Sequence, residues 1–538
     1  MVKHHTKFIF VTGGVISSLG KGIAAASIGA LLESRGLQVT ILKLDPYLNV
    51  DPGTMNPFQH GEVFVTSDGT ETDLDLGHYE RYLNKDLGKV NSVTAGQIYQ
   101  SVLDKERAGD YLGNTVQVIP HVTDQIKAAI YAAAAGYDVL ICEVGGTVGD
   151  IESLPFLETI RQMRGDEGYK NTVFIHASYV PILDEIGEIK TKPTQHSVKE
   201  LLGIGIQPDV LLLRAGRKIP SDIKKKIALF CNVPEKQVVS CPNLETVYEV
   251  PLLLREEGID DILVEHLNIW ARAPNLSPWK HIVNEIKNPQ TLLSIAVVGK
   301  YTSLAESYKS IHEALVHAGI ENHAQAKIVY IDADDIEAKG AAKMLKHADA
   351  ILVPGGFGQR GINGKIAAVK YAREHKVPFL GICLGLQIAV IEFARNVAKL
   401  NEATSQEFDE HADTQVIHIM EDQKRIHKKG GTMRLGNYET IIQPHTLAHK
   451  IYQHDQIVER HRHRFEVNNS YRDILALAGL VFSGLSPDKD LVEIVEISNH
   501  PFFIACQSHP EFQSRPLKPH PLFVGFIAAA IDKKNASV

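Results

Sequence analysis

Short apolar runs alternate with helical stretches along the first half of the chain. Strand-like runs occur at 7–12, 39–44 and 138–143, and a helix is predicted at 21–35 between the first two. Continuous apolar runs of this length are typical of strands in a parallel sheet that helices cover on both faces. The pattern therefore predicts a doubly wound α/β domain.

The same alternation begins again after a proline-rich stretch. Residues 268–292 contain three prolines and both tryptophans of the chain, a composition that favours a linker with some ordering contacts. Strands and helices then follow, with predicted strands at 294–299, 326–331, 350–356 and 377–382 and predicted helices at 307–318 and 386–398. We therefore expect two α/β domains with mostly parallel sheets, at 1–267 and 293–538, joined by the linker. The polar residues 401–430 are expected to form an exposed loop.

Composition and charge narrow the class of protein. The chain has 538 residues with 56 basic and 64 acidic side chains, a net charge of −8, and 44% apolar residues. A globular, multidomain protein is expected, and the absence of a long basic stripe argues against nucleic-acid binding. No apolar run is long enough to span a membrane. Five scattered cysteines without paired spacing indicate a reduced compartment, so we expect a cytoplasmic protein.

A glycine-rich turn follows the first predicted strand. In the segment Gly13–Gly22, backbone N–H groups and the start of a helix would cradle an anion, and Lys21 would reach the β- and γ-phosphates of a nucleotide. The match to the phosphate-loop motif is incomplete, because Val15 replaces a glycine and Gly22 replaces the Ser or Thr that binds Mg²⁺. An ordinary strand–helix turn is the alternative. If the site is real, Mg²⁺ needs carboxylates from elsewhere, such as Glu143 at a strand end or the acidic cluster at 71–75.

A cysteine in the second half has the surroundings of a nucleophile. Cys383 lies between two glycines after a predicted strand and before a helix, which is the layout of a nucleophile elbow. The helix start favours the thiolate. His509 can carry the proton, and Glu511, two residues further along an extended segment, can orient the imidazole ring. Backbone N–H groups of 354–356 and of Leu384 are candidates for an oxyanion hole. A buried structural cysteine is the alternative.

The run Glu459–Arg464 alternates arginine and histidine and superficially suggests metal ligands. The interleaved arginines repel a cation, and no cysteine or carboxylate completes a ligand set. A metal site is therefore not expected there.

These motifs together resemble the CTP synthase family over nearly the whole chain. In the first half the resemblance rests on the segments Gly13–Gly22, Lys43–Tyr47, Asp51–Met55, Gln59–Val63, Glu71–Asp75, Glu143–Glu152 and Lys190–Gln195, and in the second half on the cysteine elbow and the His–Pro–Glu sequence. The family uses the same Gly-Lys-Gly variant of the phosphate loop. The resemblance implies ATP-dependent amination of UTP to CTP through a 4-phosphorylated UTP intermediate, with ammonia from L-glutamine.

The resemblance also implies site residues. The ATP contacts would be Ser18, Leu19, Gly20, Lys21, Gly22, Ile23, Asp75, Asn243 and Leu244, with Asp75 and Glu143 as Mg²⁺ ligands. The contacts to UTP, in part shared with the feedback inhibitor CTP, would be Ser17, Asp150, Ile151, Glu152, Lys190, Thr191, Lys192, Pro193, Thr194, Gln195 and Lys226. The catalytic triad would be Cys383, His509 and Glu511, and glutamine would contact Gly356, Leu384, Gly385, Leu386, Gln387, Glu407 and Arg464.

The family further implies regulation and assembly. GTP is expected as an allosteric activator, the chain is expected to form a homotetramer, and His60 matches a residue that gates the passage of ammonia.

Two alternatives stay open from the residues alone. One alternative is another ATP-dependent glutamine amidotransferase that acts on a different acceptor, as the corrin-ring amidating enzymes do. The catalytic triad and the segment Lys190–Gln195 argue against this alternative. The other is a non-catalytic assembly protein, which an intact triad and phosphate loop disfavour.

Overall fold

The computed structural model describes residues 5–53, 55, 61–183, 187–300, 305–420, 423 and 433–536. The chain divides into two compact units, one formed by Met1–Pro52 and Asp75–Val283, the other by Gly53–Leu74 and Asn284–Val538. A short segment from the N-terminal half thus packs with the C-terminal unit, which the sequence did not indicate. In the described part of the chain, no helix combines the length and the apolar character that crossing a membrane requires.

The first unit is built on a parallel sheet. Within the described residues its seven strands lie in the order Val238–Pro242, Val210–Ala215, Thr172–Tyr179, Lys7–Gly14, Val139–Val144, Val39–Asp45 and Ser92–Thr94, and every neighbouring pair is parallel. The central strand Lys7–Gly14 is buried along almost its whole length, because both sheet faces are covered. Its carboxyl end leads directly into the glycine-rich turn, where open parallel sheets bind ligands.

Helices cover both faces of this sheet. They are Lys21–Ser34, Asp75–Leu83, Ala95–Ala108, Thr123–Ala134, Leu154–Glu167, Lys192–Gly203, Ser221–Cys231, Val250–Glu256, Ile259–His266 and Ser277–Lys287, the last of which contains the end of the unit. Local sequence explains several starts, as where Thr94 and Gln97 form a capping box. A two-stranded ribbon, Ile182–Leu183 with Glu188–Ile189, completes the described strands.

The second unit has a mixed sheet. Its nine described strands lie in the order Ala324–Asp332, Thr291–Gly299, Ala350–Val353, Phe379–Ile382, Phe503–Cys506, Val492–Glu496, Val481–Leu485, Arg434–Ile442 and Gln456–His463. The first five are parallel to one another, and the remaining pairings are antiparallel. Smaller sheets join Thr404–Ser405, Gln415–Ile419 and Phe465–Val467, and Phe64–Val65 with Glu71–Thr72.

Helices of the second unit pack on both sides of the parallel strands. They are Lys309–Glu321, Ala333–Lys339, Ala341–Leu345, Ile362–Glu374, Leu384–Asn396, Leu447–Tyr452, Arg472–Leu477 and Pro521–Ala536. Two buried apolar clusters, one on each side of these strands, form its core.

The predicted α/β class is confirmed, and the structure adds detail that the sequence pattern lacked. The antiparallel strands after residue 433 extend the second sheet, so it is less uniformly parallel than expected. Within the predicted linker, Ser277–Lys287 forms a helix whose buried Trp279 stacks near Tyr82 at 5.0 Å between ring centroids. Of the expected exposed loop at 401–430, the described residues 401–420 contain two short strands, whereas 421–422 and 424–430 lie outside the described residues.

Candidate active sites

The phosphate loop connects the central strand of the first unit to the helix Lys21–Ser34. Gly20, which caps that helix, has a φ of 86°, a left-handed conformation that favours glycine. The Lys21 ammonium donates a hydrogen bond to the Gly146 carbonyl of the loop that follows the neighbouring strand. Burial lowers the pKa of Lys21, while the Glu143 carboxylate opposes that change. Lys21, which is predicted to bind the phosphates, therefore lies at the edge of the sheet where the parallel strands have their carboxyl ends.

The two predicted Mg²⁺ ligands converge beneath this loop. A Cβ added to Gly22 would lie 2.2 Å from Asp75 Oδ1 and 3.4 Å from Glu143 Oε2, so only glycine fits there. Lys43, on the strand Val39–Asp45, donates hydrogen bonds to both carboxylates. The distance from its Nζ to Glu143 Oε1 is 3.0 Å. Burial alone would lower the pKa of Lys43, but the two carboxylates raise it well above its usual value. Tyr79 also donates to Glu143.

This cluster fits Mg²⁺ bound with a nucleotide. Two converging carboxylates are the protein share of such a site, since the phosphates and water supply the other ligands. No group of three or more His, Cys, Asp or Glu side chains arranged for a metal occurs among the described residues. No role for Lys43 or Tyr79 could be predicted from the family motifs, although a lysine inside the buried strand Val39–Asp45 was an available signal.

A pocket of about 270 Å³ lies beside the same loop. Gly20 and Ile23 line one side, and Asn243 and Leu244 line another, together with Arg214. Arg214 Nη2 lies 3.4 Å from Asn243 Oδ1. The structure thus brings Asn243 and Leu244, two of the predicted ATP contacts, next to the phosphate loop, in which Leu19 is buried.

The predicted UTP residues fall on four parts of the first unit. Ser17 is in the phosphate loop, and Asp150–Glu152 lie in the loop that also contains Gly146, with Asp150 accepting a hydrogen bond of 3.0 Å from the Thr147 N–H. Lys190–Gln195 precede and open the helix Lys192–Gly203. Lys192 lies 5.7 Å from the ring of Phe230, on the helix that also bears the exposed Lys226.

The elbow around Cys383 is sterically demanding. Cys383 has a φ of 52° and a ψ of −103°, a strained conformation for a non-glycine residue at the start of the helix Leu384–Asn396. A Cβ on Gly385 would lie 2.1 Å from the Val353 carbonyl oxygen, and one on Gly381 would lie 2.8 Å from Gly385. The two flanking glycines are therefore required by close packing.

His509 and Glu511 lie beside the cysteine. His509 Nδ1 is 2.7 Å from Glu511 Oε1, and both side chains are buried. Burial lowers the pKa of His509, but the charges of Glu511 and Cys383 outweigh it and raise the pKa to about 10. A Cβ on Gly355 would lie 2.8 Å from His509 Cε1 and 3.6 Å from Cys383 Cβ, so the ring and the nucleophile flank one glycine.

A cavity of about 410 Å³ opens onto this triad. All three predicted catalytic residues line it, as do Gly356 and Arg464 from the predicted glutamine contacts. Leu384–Gln387 form the first turn of the elbow helix, and Gln387 Nε2 donates to the Phe465 carbonyl at 3.1 Å.

Glu407, another predicted glutamine contact, is bonded to the protein itself. Its Oε1 accepts a hydrogen bond of 2.6 Å from the Gly358 N–H. Lys300 donates to the Gly358 carbonyl at 2.8 Å and also to that of Phe357. Glu407 and Lys300 therefore both hold the loop that contains Gly358 and borders the cavity. Lys300 was missed in the sequence, where a lysine after a strand-ending glycine carried no distinctive signal.

The segment 53–74 contributes part of the cavity wall. Gly53, Met55, Glu62 and Val63 line it, and the segment is attached through Glu71, which pairs with Arg462 at 2.8 Å. His60, the predicted ammonia gate, lies outside the described residues.

Most of the arginine–histidine run lies in the strand Gln456–His463. Arg460 Nη1 donates to the Val65 carbonyl at 3.1 Å, whereas His461 and His463 contact each other at 3.1 Å in the buried interior. Burial lowers the pKa of His463 to about 3. The alternation therefore places arginines toward the segment 53–74 and neutral histidines in the core.

Family models match both halves of the chain. A model described as CTP synthase N-terminus matches residues 7–269, and one described as glutamine amidotransferase class-I matches residues 303–529.

Full-length relatives carry the same combination. The CTP synthase of Pelobacter propionicus is 59% identical over 532 residues, covering 99% of each chain, and that of Geobacter metallireducens is 58% identical over 531 residues, covering 98% of this chain and 99% of its own. A solved glutaminase domain of Trypanosoma brucei CTPS with bound acivicin is 39% identical, with a TM-score of 0.43, over 45% of this chain and 94% of that one.

Proposed function

The chain belongs to the CTP synthase family, which forms CTP from UTP with ATP and the amide nitrogen of glutamine, and we propose which of its residues perform each part. The observation that carries the proposal is the arrangement of Cys383, His509 and Glu511 around one cavity. The ATP-dependent step is assigned to the phosphate loop of the first unit, where Lys21 lies near the carboxylates of Asp75 and Glu143.

Glutamine hydrolysis is assigned to the second unit. The Cys383 thiolate attacks the amide carbon of glutamine and forms a tetrahedral intermediate, and His509 gives a proton to the departing ammonia. The resulting thioester is hydrolysed by a water molecule whose proton His509 takes. Glu511 holds the imidazole in place through its 2.7 Å hydrogen bond. The N–H groups of Gly356 and Leu384 are the proposed donors to the oxyanion.

Glutamine recognition uses the same cavity. Arg464 lies on its wall, where a guanidinium suits a carboxylate. Glu407 is half-buried, and its partial burial raises its pKa. We propose that it recognises the α-ammonium of glutamine after exchanging its bond to the Gly358 N–H.

Activation of UTP is assigned to the first unit. The uracil 4-oxygen attacks the γ-phosphorus of ATP, ADP leaves, and ammonia then displaces phosphate from carbon 4 to give CTP. Lys21 and the N–H groups of the loop bind the phosphates and stabilise the transferring group. Asp75 and Glu143 would hold the Mg²⁺ that offsets the triphosphate charge, after Lys43 yields the carboxylates it now binds.

Recognition of UTP is assigned to the surrounding basic side chains. Lys190, Lys192 and Lys226 provide point charges suited to a triphosphate, and Asp150 and Glu152 offer acceptors for ribose hydroxyls or the base. Because CTP carries the same triphosphate, it would compete at this site as a feedback inhibitor.

Regulation and assembly follow the family resemblance. We propose that GTP activates glutamine hydrolysis, that the chain works as a homotetramer in the cytoplasm, and that His60 gates the passage of ammonia. Direct transfer is chemically useful, because free ammonia in water at neutral pH is mostly ammonium, which is not a nucleophile.

The test is the synthesis of CTP by the purified chain. A rise in CTP absorbance that requires UTP, ATP, Mg²⁺ and glutamine together is expected. Glutamine hydrolysis without CTP, while another acceptor is aminated, would identify a different amidotransferase and overturn the proposal.

A further inference from the structure

A buried histidine links the strand of the phosphate loop to the helix that opens with the UTP block. His176 lies on the strand Thr172–Tyr179 and is 0% exposed. Its Nδ1 is 2.9 Å from Thr12 Oγ1, on the strand Lys7–Gly14, and its Nε2 is 2.8 Å from Ser197 Oγ, on the helix Lys192–Gly203. One ring thus joins two elements that belong to two different proposed nucleotide sites.

The two elements are also in direct steric contact. A Cβ on Gly14 would lie 1.7 Å from Ser197 Oγ and 3.1 Å from His176 Nε2, so the strand end leaves no room for a methyl group beside the helix. A second hydrogen bond, 3.0 Å from Ser178 Oγ to Thr194 Oγ1, ties the helix to the same strand as His176. A displacement of the phosphate loop therefore cannot leave the helix unaffected.

The histidine ring is a directional link. Burial, helped by the charge of Lys21, lowers the pKa of His176 to about 3, so the ring is neutral at physiological pH. A neutral imidazole donates from one nitrogen and accepts at the other, and the hydroxyls of Thr12 and Ser197 must take complementary roles. If the hydrogen bond at one ring nitrogen is reversed, the hydroxyl group at the other nitrogen must also exchange its donor or acceptor role. If one bond is broken, the other hydroxyl is no longer held to a single role.

We propose that His176 is a positioning residue that couples the ATP-phosphate loop to the UTP helix, so that each nucleotide strengthens the binding of the other. The proposal rests on the proposed ATP and UTP sites. It assigns no chemical step to His176, whose ring is enclosed by protein groups and acts through Thr12 and Ser197.

The experiment measures the coupling as a ratio of dissociation constants. Calorimetry of UTP binding to the full chain with Mg²⁺, with and without a non-hydrolysable ATP analogue, gives this ratio, and coupling of about fivefold or more is expected. His176→Phe keeps a ring but removes both hydrogen bonds, and should bring the ratio close to one. Thr12→Val and Ser197→Ala each remove one end of the link with little change in volume and should lower the ratio too. They also keep the test decisive if His176→Phe does not fold.

Thr172→Val is the matched control. Thr172 is buried at the other end of the strand that bears His176, and its hydroxyl donates to the Gly168 carbonyl, so the variant should lose some stability but keep the wild-type ratio. A wild-type ratio of one, or an unchanged ratio in both Thr12→Val and Ser197→Ala, would overturn the proposal. Failure of the site assignments would look different, since Lys21→Ala would then still bind the ATP analogue, or Lys192→Ala would still bind UTP, with wild-type affinity.

Discussion

His509 Nδ1 and Glu511 Oε1 are 2.7 Å apart in a buried setting, on the cavity that also contains Cys383. Both residues follow the strand Phe503–Cys506 and form a charge-assisted hydrogen bond. Glu511 lies in the 3-10 turn Pro510–Phe512, so the expectation of an extended segment there is wrong, although the turn still brings the carboxylate to the imidazole. Because the carboxylate and the thiol stabilise the imidazolium, the pKa of His509 is raised to about 10 despite burial. The imidazolium can therefore persist beside Cys383 at neutral pH.

Glu511→Gln should weaken glutamine hydrolysis and move its pH dependence. Without the carboxylate the pKa of His509 falls, so the alkaline limb of the pH–rate profile should shift to lower pH, and kcat should fall by about 10²- to 10⁴-fold. The raised folded-state pKa also implies stability that is present below the ordinary histidine pKa and lost as pH rises through about 10. That loss should be smaller in the variant.

Glu511→Asp serves as the control, because it keeps the charge and should retain more of the alkaline limb. An unchanged profile in Glu511→Gln would show that this carboxylate does not act on His509.

The pair of Arg462 and Glu71 should show the energetics of a buried ion pair. The Glu71 side chain is 1% exposed, that of Arg462 is 16% exposed, and two guanidinium nitrogens lie 2.8 Å from Glu71 Oε1. Arg462→Met removes the bonded guanidinium from beside the buried carboxylate and should lower the free energy of unfolding of the second unit by about 3–5 kcal/mol. The double variant with Glu71→Gln should recover part of that loss in denaturant unfolding.

An exposed pair provides the comparison. Lys339 and Asp335 are 2.9 Å apart, with side chains about half exposed, and Lys339→Met should change stability by about 0–1 kcal/mol. Additive losses in the Arg462 and Glu71 double variant would contradict a direct coupling between them.

Lys21→Ala should abolish CTP formation with either nitrogen source. Lys21 supplies the cation that the proposed phosphoryl transfer requires, and loss of such a charge typically raises the barrier by several kcal/mol, about 10³-fold or more in rate. The measurement is CTP synthesis with glutamine and, separately, with ammonium. Near-normal synthesis from ammonium would rule out this ATP site.

Lys192→Ala should act on UTP rather than ATP. The variant should raise the KM for UTP more than that for ATP and weaken inhibition by CTP, because substrate and product share a triphosphate. Lys225→Ala, an exposed lysine beside Lys226, is the matched control and should leave both KM values unchanged. Unchanged UTP saturation in Lys192→Ala would move the UTP site elsewhere.

The sequence predicted the parts of the fold that depend on local pattern. The buried strands at 7–12 and 39–44 and the helix at 21–35 lie within two residues of Lys7–Gly14, Val39–Asp45 and Lys21–Ser34. Continuous apolar runs and glycine turns are local signals, and so is the cysteine elbow. The glycine-rich turn and the cysteine elbow could therefore be recognised as candidate sites from local sequence.

The sequence could not predict arrangements set by distant pairing. The packing of 53–74 with the second unit depends on contacts such as Glu71 with Arg462, 391 positions apart. The arginine–histidine alternation resembled a ligand set, but only the strand pairing of 456–463 with 434–441 shows which side chains point to the core. Glu407 likewise looked like a ligand contact, and only the fold reveals its bond to Gly358.

The presence of two separate active sites in one chain can be tested with the variant Cys383→Ala. Cys383 lines the cavity with His509 and Glu511, and without its thiol no thioester with glutamine can form. The phosphate loop, Asp75 and Glu143 belong to the other unit and stay intact. The measurement is the rate of CTP formation with glutamine and with high ammonium at alkaline pH. We expect no CTP from glutamine and a near wild-type rate from ammonium, whereas glutamine-dependent synthesis by this variant, or loss of ammonium-dependent synthesis in a folded protein, would contradict the account.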